Sequence, residues 1–160
     1  MEYKDFQKEK PSEINLDGKR IKFKSNPPAN YEEIQDLENI IGIKLPESII
    51  NIYLSFNGAE FFNYDNIDGF RLFSLENIRN EIENAKIIYE KSWDCSIILL
   101  MEMIGEGNLI GIKTKDNKEL VVDCFHEVDP KEWKVIEQNI DVFMKKLFHN
   151  DGRKYWLDQV

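Results

Sequence analysis

The chain has 160 residues, 42% of them hydrophobic and 12% aromatic, enough for one domain with a sizeable core. No apolar run approaches the roughly 20 residues of a membrane helix, and the charged start Met1-Glu2-Tyr3-Lys4-Asp5 lacks the apolar stretch of a secretory signal, so a cytoplasmic location is expected. The net charge of −9 is concentrated in residues 25–83, where three basic face eleven acidic side chains, net −8, a balance that excludes a phosphate-binding surface there.

Residues 1–26 are polar and mixed in charge and read as an N-terminal extension, with the alternating residues 21–24 as a short edge strand. Pro27-Pro28 stops whatever precedes it. A helix follows: Asn30 as N-cap with Glu33 three residues on makes a capping box, Tyr31, Ile34, Leu37 and Ile41 form the apolar stripe, and Gly42 ends it. Pro46 opens a second helix with Glu47 at its positive end. Ile49, Ile50, Tyr53, Leu54 and Phe56 give it a buried face, and Asn57-Gly58 is expected to terminate it.

Two short strands, 59–62 and 70–73, flank a polar loop at 63–69. Ser74 caps a third helix whose apolar face holds Leu75, Ile78, Ile82, Ala85 and Tyr89. Strands at 96–104, 109–114 and 119–125 are linked by Gly105-Glu106-Gly107-Asn108 and Lys115-Asp116-Asn117-Lys118, links short enough to demand an antiparallel meander. Asp129-Pro130 turns the chain. Asn139 caps a last helix with Ile140, Phe143, Met144, Leu147 and Phe148 on one face, and residues 151–160 form a tail that packs back on the body through Tyr155, Trp156 and Leu157. Strands cluster without alternating with helices. The expected class is therefore α+β: a single domain at 27–150 with an antiparallel sheet packed against about four helices.

The helix pair joined by "IGIKLPESI" and followed by "LSFNGAEFF" resembles the SUKH superfamily signature: a glutamate-rich helix, a glycine, Leu-Pro opening a second helix and Asn-Gly closing it. "FRLFSLENI", "IGEGNLIGIKTKDNKELVVDCFHE" and "NIDVFMKKLF" resemble, in order, the family's strand into helix, its glycine-containing hairpin with the next strand, and its closing helix. Asn108 stands where the family often has Asp, and residues 1–26 have no clear counterpart. The resemblance implies a binding role. Bacterial members are typically immunity proteins that bind the effector domain, often a nuclease, of a polymorphic or contact-dependent toxin. Fungal members are regulators of cell-wall assembly, so a regulatory scaffold is the alternative.

Chemistry-bearing residues are sparse. Cys124 and His126 lie two apart on one strand face, which suits a thiol activated by imidazole or half a metal site. No further Cys or His completes either, and the ordinary reading is a strand end. A small-ligand binder or an enzyme working through these two residues is the remaining alternative. Cys95 and Cys124 are expected to be free thiols. The segment from Asp65 to Gly69 resembles half a calcium loop but lacks its first carboxylate and its closing Glu, and reads as a turn. Trp93, Trp133 and Trp156 read as core residues or interface anchors. The acidic, aromatic stretch Glu60, Phe62, Asn63, Tyr64, Asp65 and Asp68 reads from its residues alone as a solvated loop; the family resemblance sets beside that an expected partner-binding surface, with aromatic anchors ringed by carboxylates. The full expectation is a binder and not an enzyme, without cofactor or metal. It takes a basic toxin effector domain as partner, binds neither nucleic acid nor membrane, and is a monomer or weak homodimer.

Overall fold

Short links make sequence neighbours into spatial neighbours, and the sheet keeps the order of the chain even where residues 26–58 and 73–96 carry helices between two strands. In the computed structural model, which describes residues 1–116 and 118–158, the strands are β1 (Glu13–Leu16), β2 (Lys19–Ser25), β3 (Ala59–Tyr64), β4 (Asp68–Leu72), β5 (Ile97–Met103), β6 (Leu109–Lys115), β7 (Lys118–Cys124) and β8 (Lys134–Glu137). They form one sheet in the order of the chain, every neighbouring pair antiparallel. Five α-helices are present among the described residues: α1 (Tyr3–Glu9), α2 (Tyr31–Ile41), α3 (Glu47–Ser55), α4 (Leu75–Tyr89) and α5 (Ile140–His149). The fold is α+β, as the clustering of strands predicts.

The N-terminal region departs from expectation. Residues 21–24 lie inside β2, which pairs with β1 on one side and β3 on the other, so the sheet's edge is β1. Asp17-Gly18 makes the turn between them, with φ of 51° and 77°. Positive φ at both central residues is the two-residue hairpin geometry whose twist matches that of the strands. Helix α1 carries Tyr3 and Phe6 into the core, where Phe6 meets Phe23, Phe56, Phe61 and Phe148 at centroid distances of 5.3–6.1 Å. At the other edge, β8 follows the Pro130 turn and pairs with β7, although its sequence "KVIE" is too short to announce a strand.

Local rules succeed at three helix starts. The Asn30–Glu33 capping box is complete, with both hydrogen bonds present at 2.8 and 3.0 Å. Ser74 and Asn139 each accept the backbone N–H of the third residue of the helix that they cap, Asn77 and Val142. Two details are corrected. Tyr31, expected in the apolar stripe, is 69% exposed, because α2 buries only a narrow face through Ile34 and Leu37. Asn57-Gly58 does not cap α3, which ends at Ser55 with Phe56 already extended. Instead Asn57 ties three segments together: its N–H donates to the Pro27 carbonyl, its carbonyl accepts from Asn26 Nδ2, and its Oδ1 accepts the Leu75 N–H at the start of α4.

Strand pairing sorts the sheet into two faces. One row runs Lys24, Glu60, Arg71, Glu102, Leu109, Cys124 across β2 to β7 and lies on the side covered by α4. The opposite face carries Phe61, Phe70, Met101, Ile110 and Ile112 and is covered by α1, α3 and α5. Glu119 on β7 joins the last two of these helices, accepting the Ile140 N–H at 2.8 Å and the Ser48 hydroxyl at 2.6 Å. Helix α2 packs on α3 and α4. The tail places Trp156 against Phe143 and Phe70 as far as Asp158; Gln159, Val160 and the turn residue Asn117 lie outside the described residues.

Candidate functional site

The acidic, aromatic stretch forms the end of the β3–β4 hairpin, but not all of it faces outward. A β-bulge between Phe61 and Tyr64 puts Phe62 at φ 52° and turns its ring inward. Phe62 is 5% exposed and packs on Phe23 and Phe148 at 5.0 and 4.9 Å, so it is a core residue and no surface anchor. Gly152 approaches that ring so closely that a Cβ there would lie 2.5 Å from Phe62 Cγ. Asn63 is also buried. Its amide donates to Glu60 Oε2 and Asn66 Oδ1, and its Oδ1 accepts the Asn66 N–H, so its polar atoms hold the turn. What stays outside is Tyr64 (half-buried), Asp65 and Asp68 at the turn, with Glu60 on the α4 side of the sheet.

Charges around these residues are partly compensated. Lys154 bridges Asp68, at 3.4 Å, and Glu106 on the neighbouring β5–β6 turn. The Lys19 ammonium lies 5.0 Å from the Tyr64 ring centroid, within cation–π range. Glu60 shares Arg71 with Glu102, at 3.3 and 2.7 Å. Asp65 has no ion-pair partner among the described residues. Between Tyr64, Asp68, Lys19 and Arg153 lies a cavity of about 270 Å³.

Most of the acidic surplus lies elsewhere. Of the eleven carboxylates in residues 25–83, seven belong to the packed helices α2 (Glu32, Glu33, Asp36, Glu38) and α4 (Glu76, Glu81, Glu83). Between α4 and the sheet runs a groove of about 290 Å³, lined by Glu81, Ile88, Glu102, Leu109 and Trp133 among others. Sequence periodicity assigns these residues to separate elements and gives no sign that they converge. Trp93 is buried, stacked on Tyr89, whereas Trp133 and Trp156 remain half-buried.

Cys124 and His126 share a strand end without touching productively. Burial pushes the Cys124 thiol pKa far up, the wrong direction for a nucleophile, and its sulfur fills the space over Gly111. His126 instead turns to Asn108, whose Oδ1 lies 2.6 Å from Nδ1 and also accepts the His126 N–H at 3.1 Å. An aspartate at this position would offer the same acceptor. Both cysteines are free, Cys95 at the surface.

One half-buried acid sits beside this strand end. Asp123 accepts the Trp156 indole N–H at 3.0 Å through Oδ2, while Oδ1 is buried without a partner among the described residues. Burial raises its pKa; the Trp156 bond opposes that, Glu106 adds to it, and Lys134 and Lys154 oppose it. For a raised carboxyl the folded state binds the proton more tightly than the unfolded state, so the ionised form costs stability above the folded value. Asp123→Asn is therefore expected to be more stable than the parent near neutral pH. The difference should close as the pH falls to the ordinary aspartate value of 3.8. Urea unfolding across that range checks it, and a pH-independent difference would contradict the assignment.

No curated protein matches the chain. The family model described as SMI1 / KNR4 family (SUKH-1) matches residues 28–146, from just before the Asn30 cap into α5. The matched span contains α2, the Leu45-Pro46 opening of α3, the Asn57 tie and the whole meander from β3 to β8; with that order of elements on one sheet, the chain belongs to the SMI1 / KNR4 family (SUKH-1).

Proposed function

We propose that this protein is an immunity protein that binds a cognate toxin effector domain, a nuclease of a polymorphic or contact-dependent system, and blocks its substrate groove stoichiometrically. The observation that carries the reading is the excess of carboxylate over cation on one part of a fold whose family supports protein–protein binding. Seven acids on α2 and α4 face only two basic side chains on the same helices, Arg79 and Lys86. A nuclease presents a cationic groove to phosphates, and carboxylates occupy that groove in their place. The field of the helices steers the encounter. Tyr64, Asp65 and Asp68 at the β3–β4 turn then make contact, within a standard interface of roughly 1,600 Å². No group on the chain needs to turn over.

The test uses the effector domain encoded beside the chain's own gene. Co-expression should rescue growth, and alanine at Cys124 or His126 should leave rescue intact. Replacing Asp65 and Asp68 with lysine should slow association about tenfold at low salt, with the difference shrinking as salt shortens the screening length to about 8 Å. Stopped-flow or surface-binding kinetics read both effects. Unchanged association after the double reversal would remove the turn from the interface, and an effector that kills despite the wild-type chain would remove the immunity reading.

A further inference from the structure

The row of side chains on the α4 face alternates in charge from Lys24 through Glu60 and Arg71 to Glu102, then changes abruptly to Leu109. Arg71 serves both strand carboxylates. Glu81 reaches the same place from α4 and has no hydrogen-bond or ion-pair partner among the described residues. At the end of the ladder, carboxylate therefore exceeds cation. Burial already disfavours the Glu81 charge, and Glu102 disfavours it further, so the two carboxylates gain from a counter-charge. Where the ladder ends, the groove continues over Leu109 between Ile88 and Trp133. Its volume of about 290 Å³ falls at the lower bound for small-molecule pockets and suits one long side chain.

The walls are held in place. The Trp133 indole N–H donates to the Phe125 carbonyl at 3.0 Å, and its ring meets Tyr89 edge-on at 5.5 Å. Ile88 is 71% exposed, an apolar side chain that gains by being covered.

We propose that this groove is an anchor pocket for an arginine side chain of the partner protein, its aliphatic stem on Leu109 and Ile88, its guanidinium between Glu81, Glu102 and the Trp133 face. Arginine fits better than lysine because its planar head pairs with two carboxylates and stacks on an aromatic ring at once. The proposal rests on the reading of the chain as a binder of a cationic effector, and it names a contact separate from the β3–β4 turn.

The test needs no partner. The ¹⁵N-labelled full chain is titrated with n-butylguanidinium and, separately, with neutral n-butylurea, and amide and indole N–H shifts are followed. Butylguanidinium should give saturable shifts confined to the groove, at Trp133 Nε1–H and the amides of Glu81, Ala85, Ile88, Glu102 and Leu109, and butylurea should give none. Glu81→Gln should weaken binding about tenfold, the loss expected for one charge-assisted contact. Ile88→Ala, a change at an exposed site that leaves the fold intact, should weaken it several-fold. Scattered shifts, equal binding of the urea, or indifference to Glu81→Gln overturns the pocket. If the effector domain binds wild type and both variants equally, the pocket fails while the immunity reading stands. If the effector does not bind wild type at all, the immunity reading fails, and the butylguanidinium titration still decides the pocket.

Discussion

A chain that begins after β2, at residue 26, should not fold. The cut removes Tyr3, Phe6, Ile21 and Phe23, each no more than 7% exposed. It also strips β3 of its hydrogen-bonded neighbour and leaves Phe61 and Phe62 beside an open edge. Deleting one buried phenylalanine side chain costs about 3–5 kcal/mol, and a whole domain is stable by about 5–15 kcal/mol. Loss of two such rings with a sheet edge therefore takes most or all of the stability. The truncated chain is expected to show collapsed amide dispersion in its NMR spectrum and no cooperative urea transition. A transition at the parent's midpoint would show that the first 25 residues are a separable extension.

Phe148→Ala is expected to be the most damaging single substitution. Phe148 on α5 is fully buried and touches five rings: Tyr3, Phe6, Phe23, Phe61 and Phe62, with centroid distances from 4.9 to 6.2 Å. These rings come from α1, β2 and β3, so one side chain joins the N-terminal segment, the bulge and the last helix. The cost is set at about 3–5 kcal/mol, because five rigid neighbours on different elements cannot all close the cavity. For a chain of this size that lowers Tm by roughly 10 °C. Phe125→Ala serves as the control. That ring is 39% exposed, and its removal should change stability by no more than about 0.5–1 kcal/mol. Calorimetry on the two variants side by side decides the matter. Equal losses would mean that the ring cluster does not carry the core.

The two surfaces proposed for binding differ in how far the sequence showed them. The turn at Asp65 and Asp68 is continuous in the chain, so composition alone drew attention to it. Its flaw as a sequence reading was Phe62. The residue pattern put that ring on the binding surface, and the bulge at Phe61–Tyr64 turns it inward onto Phe148 instead. The α4 groove was invisible because Glu81, Glu102, Leu109 and Trp133 come from four separate parts of the chain. One missed signal was available: "LDGK", with Asp-Gly between apolar and basic strand residues, is a strong hairpin mark and would have placed β1 and β2.

What the sequence determined by itself was whatever is settled within a few residues: the caps at Asn30, Ser74 and Asn139, the apolar faces of α4 and α5, the short links that make β5, β6 and β7 a meander, and the motif order that marks the family. The tertiary structure alone decided the burial of Phe62 and Asn63, the role of Asn57, the incorporation of the first 25 residues and the assembly of the groove. The reason is the range of the interactions. A cap or an apolar stripe gains its energy from neighbours along the chain. Phe6 against Phe148 and Asn57 against Leu75 gain theirs only after the whole chain has closed around them.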